Sequence, residues 1–225
     1  MNLKEAAEKI QKDSINAWTR RVSWRFMDER IQAEFDKYKS HSDSTGILGG
    51  LFISRAKDDE PLKSADLISS QHVNSTHIFT GERFLGVSVI NPKNKALKIA
   101  AERNAQLWYS QSPSGEVLVF VAPYRSDAGK FDESEIIIGK YQNPSQVTAQ
   151  RINKHFSIFF KYCSCTAQHS ASSLRSYLYR QYLIFNDFRY KSTYKQKFLR
   201  ALERLLILVL GGAAVWASLY AGGKI

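Results

Sequence analysis

The last quarter of the sequence contains a long run without a charged side chain. It reads LLILVLGGAAVWASLYAGG and extends over residues 205–223, between Arg204 and Lys224. As a helix it would span about 28 Å, because each residue adds about 1.5 Å, and the hydrocarbon core of a bilayer is about 30 Å thick. A buried core helix is the alternative, but such a helix normally has a polar face, and here only Ser218 interrupts the apolar run. The run therefore predicts one C-terminal transmembrane helix.

Basic side chains are concentrated just before this run. The whole chain has a net charge of +11, and residues 171–225 carry nine basic and two acidic side chains. Because positively charged flanks stay on the cytoplasmic side of a membrane, residues 1–204 are predicted to be cytoplasmic. The charged N-terminus, MNLKEAAEKI, lacks the apolar core of a signal peptide, so we expect a single-pass membrane protein anchored by its tail. The residues predicted to contact the membrane surface are Arg189, Lys191, Lys195, Lys197, Arg200 and Arg204.

Residues 171–204 form a basic-aromatic segment that we expect to be a long juxtamembrane helix. Tyrosine and phenylalanine are interleaved there with lysine and arginine, from Tyr177 to Phe198. Such a mixture suits anionic lipid headgroups, where each basic residue contributes about 1 kcal/mol. Two other interpretations stay open: the aromatic residues belong to the protein core, or they stack on the bases of a single-stranded nucleic acid.

The remaining composition is that of an ordinary globular domain, with 44% hydrophobic and 24% charged residues. The mean hydropathy of −0.34 excludes a protein with many membrane spans, and two cysteines are too few for a disulfide-stapled secreted scaffold. Charge and hydropathy divide the chain into four parts. These are an N-terminal helical segment (1–40), a cytosolic α+β domain (41–170), the juxtamembrane helix (171–204) and the transmembrane helix (205–223).

The hydrophobic pattern of the central region changes to a period of two at about His77. Segments such as THIFTGERF, AQLWYSQ and EVLVFVAPYR read as half-buried strands, and the turn SPSG between the last two favours a hairpin. Asn-Pro pairs at 91–92 and 143–144 are typical of helix starts, so helices are expected over 93–104 and after 144. The pattern predicts an α+β fold with N-terminal helices, a mainly antiparallel sheet of four to six strands with helices on one face, and one C-terminal transmembrane helix.

Small residues recur on one face of the predicted span. Alanines four residues apart allow helix backbones to approach closely in lipid, where packing drives association. We therefore expect the span to form a homo-oligomer or to pack against a partner membrane helix, although alanine and glycine are also common in spans in general. The residues of this small face are Ala213, Ala217 and Ala221, beside Ala214, Ser218 and Gly222.

The best candidates for acid–base catalysis are His72 and His77, which flank a polar loop, with Glu82 nearby. Histidine is the side chain whose ordinary pKa lies closest to neutral pH. The sequence contains no nucleophile elbow, phosphate-binding loop, HExxH pair or dinucleotide fingerprint. We therefore expect a binding protein rather than an enzyme, without a cofactor.

Cys163, Cys165 and His169 form a C-x-C-x3-H pattern, and His155 lies eight residues before it. Thiolate and imidazole groups are zinc ligands, but structural zinc sites usually have cysteines in C-x2-C spacing and a second pair of ligands. The favoured prediction is two buried free thiols without a metal ion, and a zinc site is the alternative.

Together these features predict a membrane protein whose cytosolic domain binds a ligand or a protein partner and whose span oligomerises. By analogy of architecture alone, this arrangement suits a bacterial signalling or defence effector that acts at the membrane. Two alternatives stay open: a membrane-tethered hydrolase or nuclease, and a nucleic-acid-binding module held at the membrane.

Overall fold

The computed structural model of the protein describes residues 1–55, 74–90, 97–129 and 133–190. The chain forms two compact units, Met1–Ile184 and Phe185–Ile225. The helices are α1 (Leu3–Val22), α2 (Trp24–Lys39), α3 (Ser42–Ile47), α4 (Ala149–Thr166), which follows a 3-10 turn at Pro144–Gln146, and α5 (Leu174–Phe185). The strands are β1 (Leu51–Arg55), β2 (Ser75–Thr80), β3 (Glu82–Ile90), β4 (Leu97–Arg103), β5 (Gln106–Gln111), β6 (Val117–Ala122), β7 (Arg125–Ser126) and β8 (Ile136–Tyr141).

Five strands form an antiparallel main sheet in the order β1-β2-β5-β6-β8. The register pairs Ile78 with Leu107, and Leu107 with Val121. These three side chains lie on the inner face of the sheet and are entirely buried. Side chains alternate along a strand. The neighbours of these three residues along each strand therefore lie on the outer face of the sheet, where they are partly exposed. The expected α+β fold with a mainly antiparallel sheet is confirmed.

Helices α2 and α4 contribute apolar stripes to the same core as the inner face of the main sheet. Met27, Ile31 and Phe35 follow one another at four-residue spacing on α2, and all three are buried. On α4 the same spacing brings Ile152 and Phe156 into the core. Residues four apart lie on one side of a helix, and burying each such side chain contributes about 1.5–3 kcal/mol. The N-terminal helices expected from the sequence are confirmed.

A second, smaller antiparallel sheet contains β3, β4 and β7. A bulge interrupts the pairing of β3 with β4 between Phe84 and Ser88, and Gly86 in this stretch has a φ of +71°, which glycine adopts without a steric penalty. The helix expected over 93–104 is wrong from Leu97 to Arg103, because these residues form β4. Alanine, lysine and glutamate favour a helix by only a few tenths of a kcal/mol per residue, roughly, and pairing with β3 outweighs that preference.

A buried ionic cluster joins α2 to the edge of the main sheet. Arg55, the last residue of β1, donates from Nε to Asp28 at 2.8 Å and also contacts the same carboxylate through Nη2. The hydroxyl of Thr76 on β2 donates to the other oxygen of Asp28 at 2.6 Å. Removing one partner of a buried ion pair costs about 3–5 kcal/mol, because the remaining charge is left uncompensated. The cluster therefore fixes α2 relative to strands β1 and β2.

Candidate binding surfaces

The outer face of the main sheet carries aromatic side chains across three neighbouring strands. We call His77 on β2, Trp108 on β5 and Phe120 on β6 the aromatic row. The register pairs each ring with the next, and the ring centroids are 6.2 and 4.9 Å apart with interplanar angles of 6° and 4°. Phe52 and Phe79 form a second stacked pair on this face, with centroids 5.7 Å apart. The row is thus a set of parallel rings that face one another along the sheet.

His77 is the member of the predicted catalytic pair that lies within the described residues. Its ring stacks on Trp108, and partial burial lowers the pKa of His77 below its usual value. The lowered pKa favours the neutral form of the imidazole. A general base must come within hydrogen-bond reach of the proton that it removes from a substrate, and a stacked ring also suits contact with another planar or apolar group. His72 lies outside the described residues.

A second histidine, His155 on α4, is held between two tyrosine hydroxyls in the core. Its Nδ1 lies 3.2 Å from the Tyr109 hydroxyl, and its Nε2 lies 2.9 Å from the Tyr141 hydroxyl. Burial, with smaller contributions from the charges of Lys154 and Arg151, lowers the pKa of His155 to about 4. A neutral imidazole has one donor and one acceptor nitrogen, so one tyrosine donates to the ring and the other accepts from it.

This Tyr-His-Tyr cluster is a stabilising element of the core. Tyr109 is entirely buried and His155 nearly so, which keeps a substrate from the imidazole. Sequence reasoning misses the cluster because its three members are far apart in the chain. The available signal is the place of His155 between Ile152 and Phe156 on the buried side of α4, which indicates a core histidine.

Cys163 and Cys165 lie on α4, and His169 follows the end of that helix. Two helical residues separated by two positions differ by about 200° in direction, so the thiols point to different sides. Both cysteines are buried and free, and burial raises the pKa of the Cys163 thiol far above its usual value. Within the described ranges, no group of three or more potential ligands is placed to hold a metal ion.

Helix α5 exposes apolar side chains while it buries an arginine. Leu174 and Leu178, one turn apart, are 72% and 58% exposed, and Tyr177 beside them is also exposed. We call these three residues the outer face of α5. On the buried side, Arg180 forms an ion pair with Glu133 at 3.2 Å. This distribution differs from the usual surface helix, whose apolar stripe faces the core and whose charges face water.

Arg189 is the one predicted membrane-surface residue that falls within the described residues. It forms an ion pair with Asp187 at 2.8 Å, and its backbone amide donates to the same carboxylate. The other predicted membrane-surface residues lie outside the described residues, and so does the small face of the span. They are Lys191, Lys195, Lys197, Arg200 and Arg204 at the surface, and Ala213, Ala214, Ala217, Ser218, Ala221 and Gly222 in the span.

The β3–β4 hairpin carries a further exposed apolar surface. Ile90 and Leu97, which are paired across the two strands, are 68% and 76% exposed, and Phe84 and Ile99 are also more than half exposed. Sequence reasoning misses this surface because it places a helix over β4, and a helix would separate residues that the hairpin brings to one face.

In the part of the chain that the structure describes, no helix has both the length and the apolar character needed to cross a membrane. The predicted span, 205–223, lies outside that part. No protein-family model, no curated protein and no solved structure matches this chain.

Proposed function

We propose that this chain is a single-pass, C-terminally anchored membrane protein whose cytosolic α+β domain binds a ligand or a protein partner and whose span oligomerises. The uncharged run over 205–223 and the basic residues before it motivate the anchor. The structural observation that carries the proposal is the outer face of α5. In the sequence, α5 ends at Phe185, twenty residues before the uncharged run begins.

A pair of exposed leucines on a surface helix is unfavourable in water. Burying each of them contributes about 1.5–3 kcal/mol, and the boundary between headgroups and acyl chains can cover Leu174 and Leu178 without a partner protein. Interfacial helices lie with their apolar face about 5–10 Å deep in this boundary. Tyr177 suits the same depth, because its ring is apolar and its hydroxyl is polar. The outer face of α5 therefore fits a membrane surface.

The basic residues that follow α5 supply the electrostatic part of the proposed contact. Between Arg189 and Arg204 the sequence has six lysine or arginine residues and one acidic residue, Glu203. Each basic residue close to an anionic leaflet contributes about 1 kcal/mol. Arg189 contributes less, because Asp187 already neutralises its charge. The apolar face and the basic segment adjoin in the sequence and favour the same partner, an anionic cytoplasmic leaflet.

The small face of the span supports the oligomeric part of the proposal. Alanines four residues apart allow two spans to pack closely. Association of the spans would also bring the cytosolic domains together, so that binding of a ligand by the domain and assembly in the membrane are coupled. This is the architecture of a signalling or defence effector that acts at the membrane.

A second candidate function is that of a nucleic-acid-binding module held at the membrane. The aromatic row favours it, because stacking of a base on an aromatic ring contributes about 1–3 kcal/mol. However, Trp108 already stacks on His77 and on Phe120, and the uncharged run with its basic flank makes membrane anchoring with protein or small-ligand binding the better proposal. Retention on single-stranded DNA that falls steeply with salt would favour the second candidate.

The experiment that tests the anchor places charges in the middle of the span. We expect Leu208→Arg combined with Val215→Arg to release the full chain into the soluble fraction, because each central arginine costs about 2.5–3.5 kcal/mol on insertion scales. The measurement is fractionation with a carbonate wash. Leu208→Ala combined with Val215→Ala is the matched control and should stay with the membranes. Retention of the arginine variant after the wash would show that 205–223 is not the anchor.

A further inference from the structure

The β3–β4 hairpin has one apolar face that the described part of the domain does not cover. The register pairs Ile90 with Leu97 and Phe84 with Ala101. Since paired residues of an antiparallel ladder lie on the same face, and so do residues two apart on one strand, Phe84, Ile90, Leu97 and Ile99 share one face. Each of the four is between 58% and 76% exposed. We call these four residues the apolar face of the hairpin.

The hairpin extends beyond its contact with the rest of the small sheet. In the described residues, β7 pairs with β4 only at Glu102 and Arg103. From Leu97 to Ile99 all three residues of β4 are exposed, so both sides of the ribbon face the surroundings there. A two-stranded ribbon is marginally stable alone, and clustered large apolar side chains on a surface mark a contact site.

The charge of this part of the sequence is of one sign. Between Arg83 and Glu102 there are three lysines, Lys93, Lys95 and Lys98, and no acidic residue. Lys98 lies on β4 opposite Val89 and forms an ion pair with Asp127 at 2.9 Å. The strands thus provide the apolar face, and the sequence that joins them provides positive charge. Lys98 contributes little to this charge, because it is ion-paired and alternates with Leu97 and Ile99 along the strand. An apolar face on strands that are joined by a sequence with two further lysines is complementary to an anionic bilayer surface.

We propose that the apolar face of the hairpin inserts into the headgroup region of an anionic bilayer and forms a further membrane contact besides the span and the outer face of α5. The proposal rests on the proposed function, because an anchored chain keeps its domain close to the membrane. A contact made by the hairpin would then restrict the orientation of the domain at the surface. Phe84 and Ile99 would enter with Ile90 and Leu97, since all four lie on the same side of the ribbon.

A second copy of the chain is the competing occupant of this face. The edge of β3 could pair with the same edge of another copy, as exposed edge strands do. The same hairpin of a second copy carries the same three lysines and no acidic residue between Arg83 and Glu102, so it supplies no opposite charge to them. Anionic lipid supplies that opposite charge. The charge therefore favours lipid.

The test uses the full chain with a polarity-sensitive dye on Ser88→Cys. Ser88 pairs with Ile99 and is exposed, so the dye reports on the apolar face while all four apolar side chains remain. Cys163 and Cys165 are buried and should label poorly; labelled wild type measures that background. The vesicles contain phosphatidylcholine alone or with about one third phosphatidylglycerol, each with a brominated lipid as quencher. We expect a blue shift and quenching in the anionic vesicles and much weaker effects in the neutral ones.

Two variants test whether the dye signal requires the apolar face of the hairpin or any exposed apolar side chain. In the Ser88→Cys background, Ile90→Asp with Leu97→Asp should reduce the fraction quenched about tenfold or more, because two buried aliphatic side chains are lost. Ile47→Asp on α3 is the control, since Ile47 is 69% exposed and lies outside the hairpin. In this control the brominated lipid should quench the dye as much as it does in the Ser88→Cys protein. No quenching, or equal quenching in both vesicle types, would overturn the proposal. A dye shift without lipid that grows with protein concentration would overturn it in favour of a second copy.

Sedimentation of the same samples tests the anchor separately. One outcome is that the chain stays in the supernatant of neutral vesicles while the dye still responds to anionic vesicles. In that case the prediction that 205–223 anchors the chain is wrong, and the hairpin contact stands. If the chain sediments with both vesicle types and the dye does not respond, the hairpin proposal fails and the anchor stands.

Discussion

The buried imidazole of His155 makes the stability of the domain depend on pH. Its pKa is about 4 in the folded protein and about 6.5 in an unfolded chain. Between these two pH values the unfolded state binds more protons, so the free energy of unfolding rises with pH. The contribution is complete above about pH 6.5 and is lost as the pH falls to about 4. With about 1.4 kcal/mol per pKa unit, the loss amounts to about 3 kcal/mol.

We predict that acidification from about pH 7 to about pH 4 destabilises the wild type by about 3 kcal/mol more than His155→Gln. Glutamine cannot titrate, although it loses part of the contact with the hydroxyls of Tyr109 and Tyr141, so the variant should be less stable than the wild type at pH 7. Urea unfolding at several pH values measures both effects. His77→Gln is the control and should keep most of the steep pH dependence. If the free energy of unfolding changed with pH in the same way for wild type and His155→Gln, His155 would not be the source of the pH dependence.

At the scale of one element, the two sides of α5 should respond differently to truncation. Leu183 is 5% exposed and belongs to the core cluster, so Leu183→Ala should lower the free energy of unfolding by about 2–5 kcal/mol. Leu178→Ala on the outer face should change it by no more than about 0.5 kcal/mol. Urea unfolding of the lipid-free protein compares the two variants directly.

Because both substitutions are Leu→Ala on the same helix, helix propensity cancels in the comparison. Equal losses would mean that Leu178 is covered by the protein itself, and the outer face of α5 would no longer be available to a membrane. A small loss for both variants would mean that α5 is not part of the core.

At the scale of the whole molecule, the span should oligomerise through its small face. We predict that Ala217→Leu combined with Ala221→Leu keeps the chain in the membrane but lowers its mass in detergent, because bulk on this face holds the helix backbones apart. A loss of about 1–2 kcal/mol per contact is enough to shift a weak oligomer toward the monomer. If overexpression of the wild type arrests growth, the arrest should be weaker for this variant.

Leu205→Ala and Leu219→Ala are the controls for the oligomer, since they change apolar residues without adding bulk. They should keep the wild-type mass. If the chain with leucines at both alanine positions has the wild-type mass as well, the alanine spacing reflects only composition and the span does not associate through this face.

Local periodicity made much of the domain predictable. A period of two marks β2, β5 and β6 because each strand is half-buried, and a period near four marks the stripes of α2 and α4. These patterns depend on neighbours in the sequence, so the residues carry them without the rest of the fold. β4 is the exception, because residues 97–103 have good helix formers and it is their pairing with β3 and β7 that makes them a strand.

By itself, the sequence determined the α+β class, the N-terminal helices and the mainly antiparallel sheet. The tertiary structure alone decided which distant polar groups meet, as Asp28 and Arg55 do in one buried pair, and Tyr109 and His155 in another. It also decided that Leu178 of α5 faces outward. The physical reason is that burial of a polar or apolar group depends on which surfaces pack against it, and residues far apart in the chain supply those surfaces.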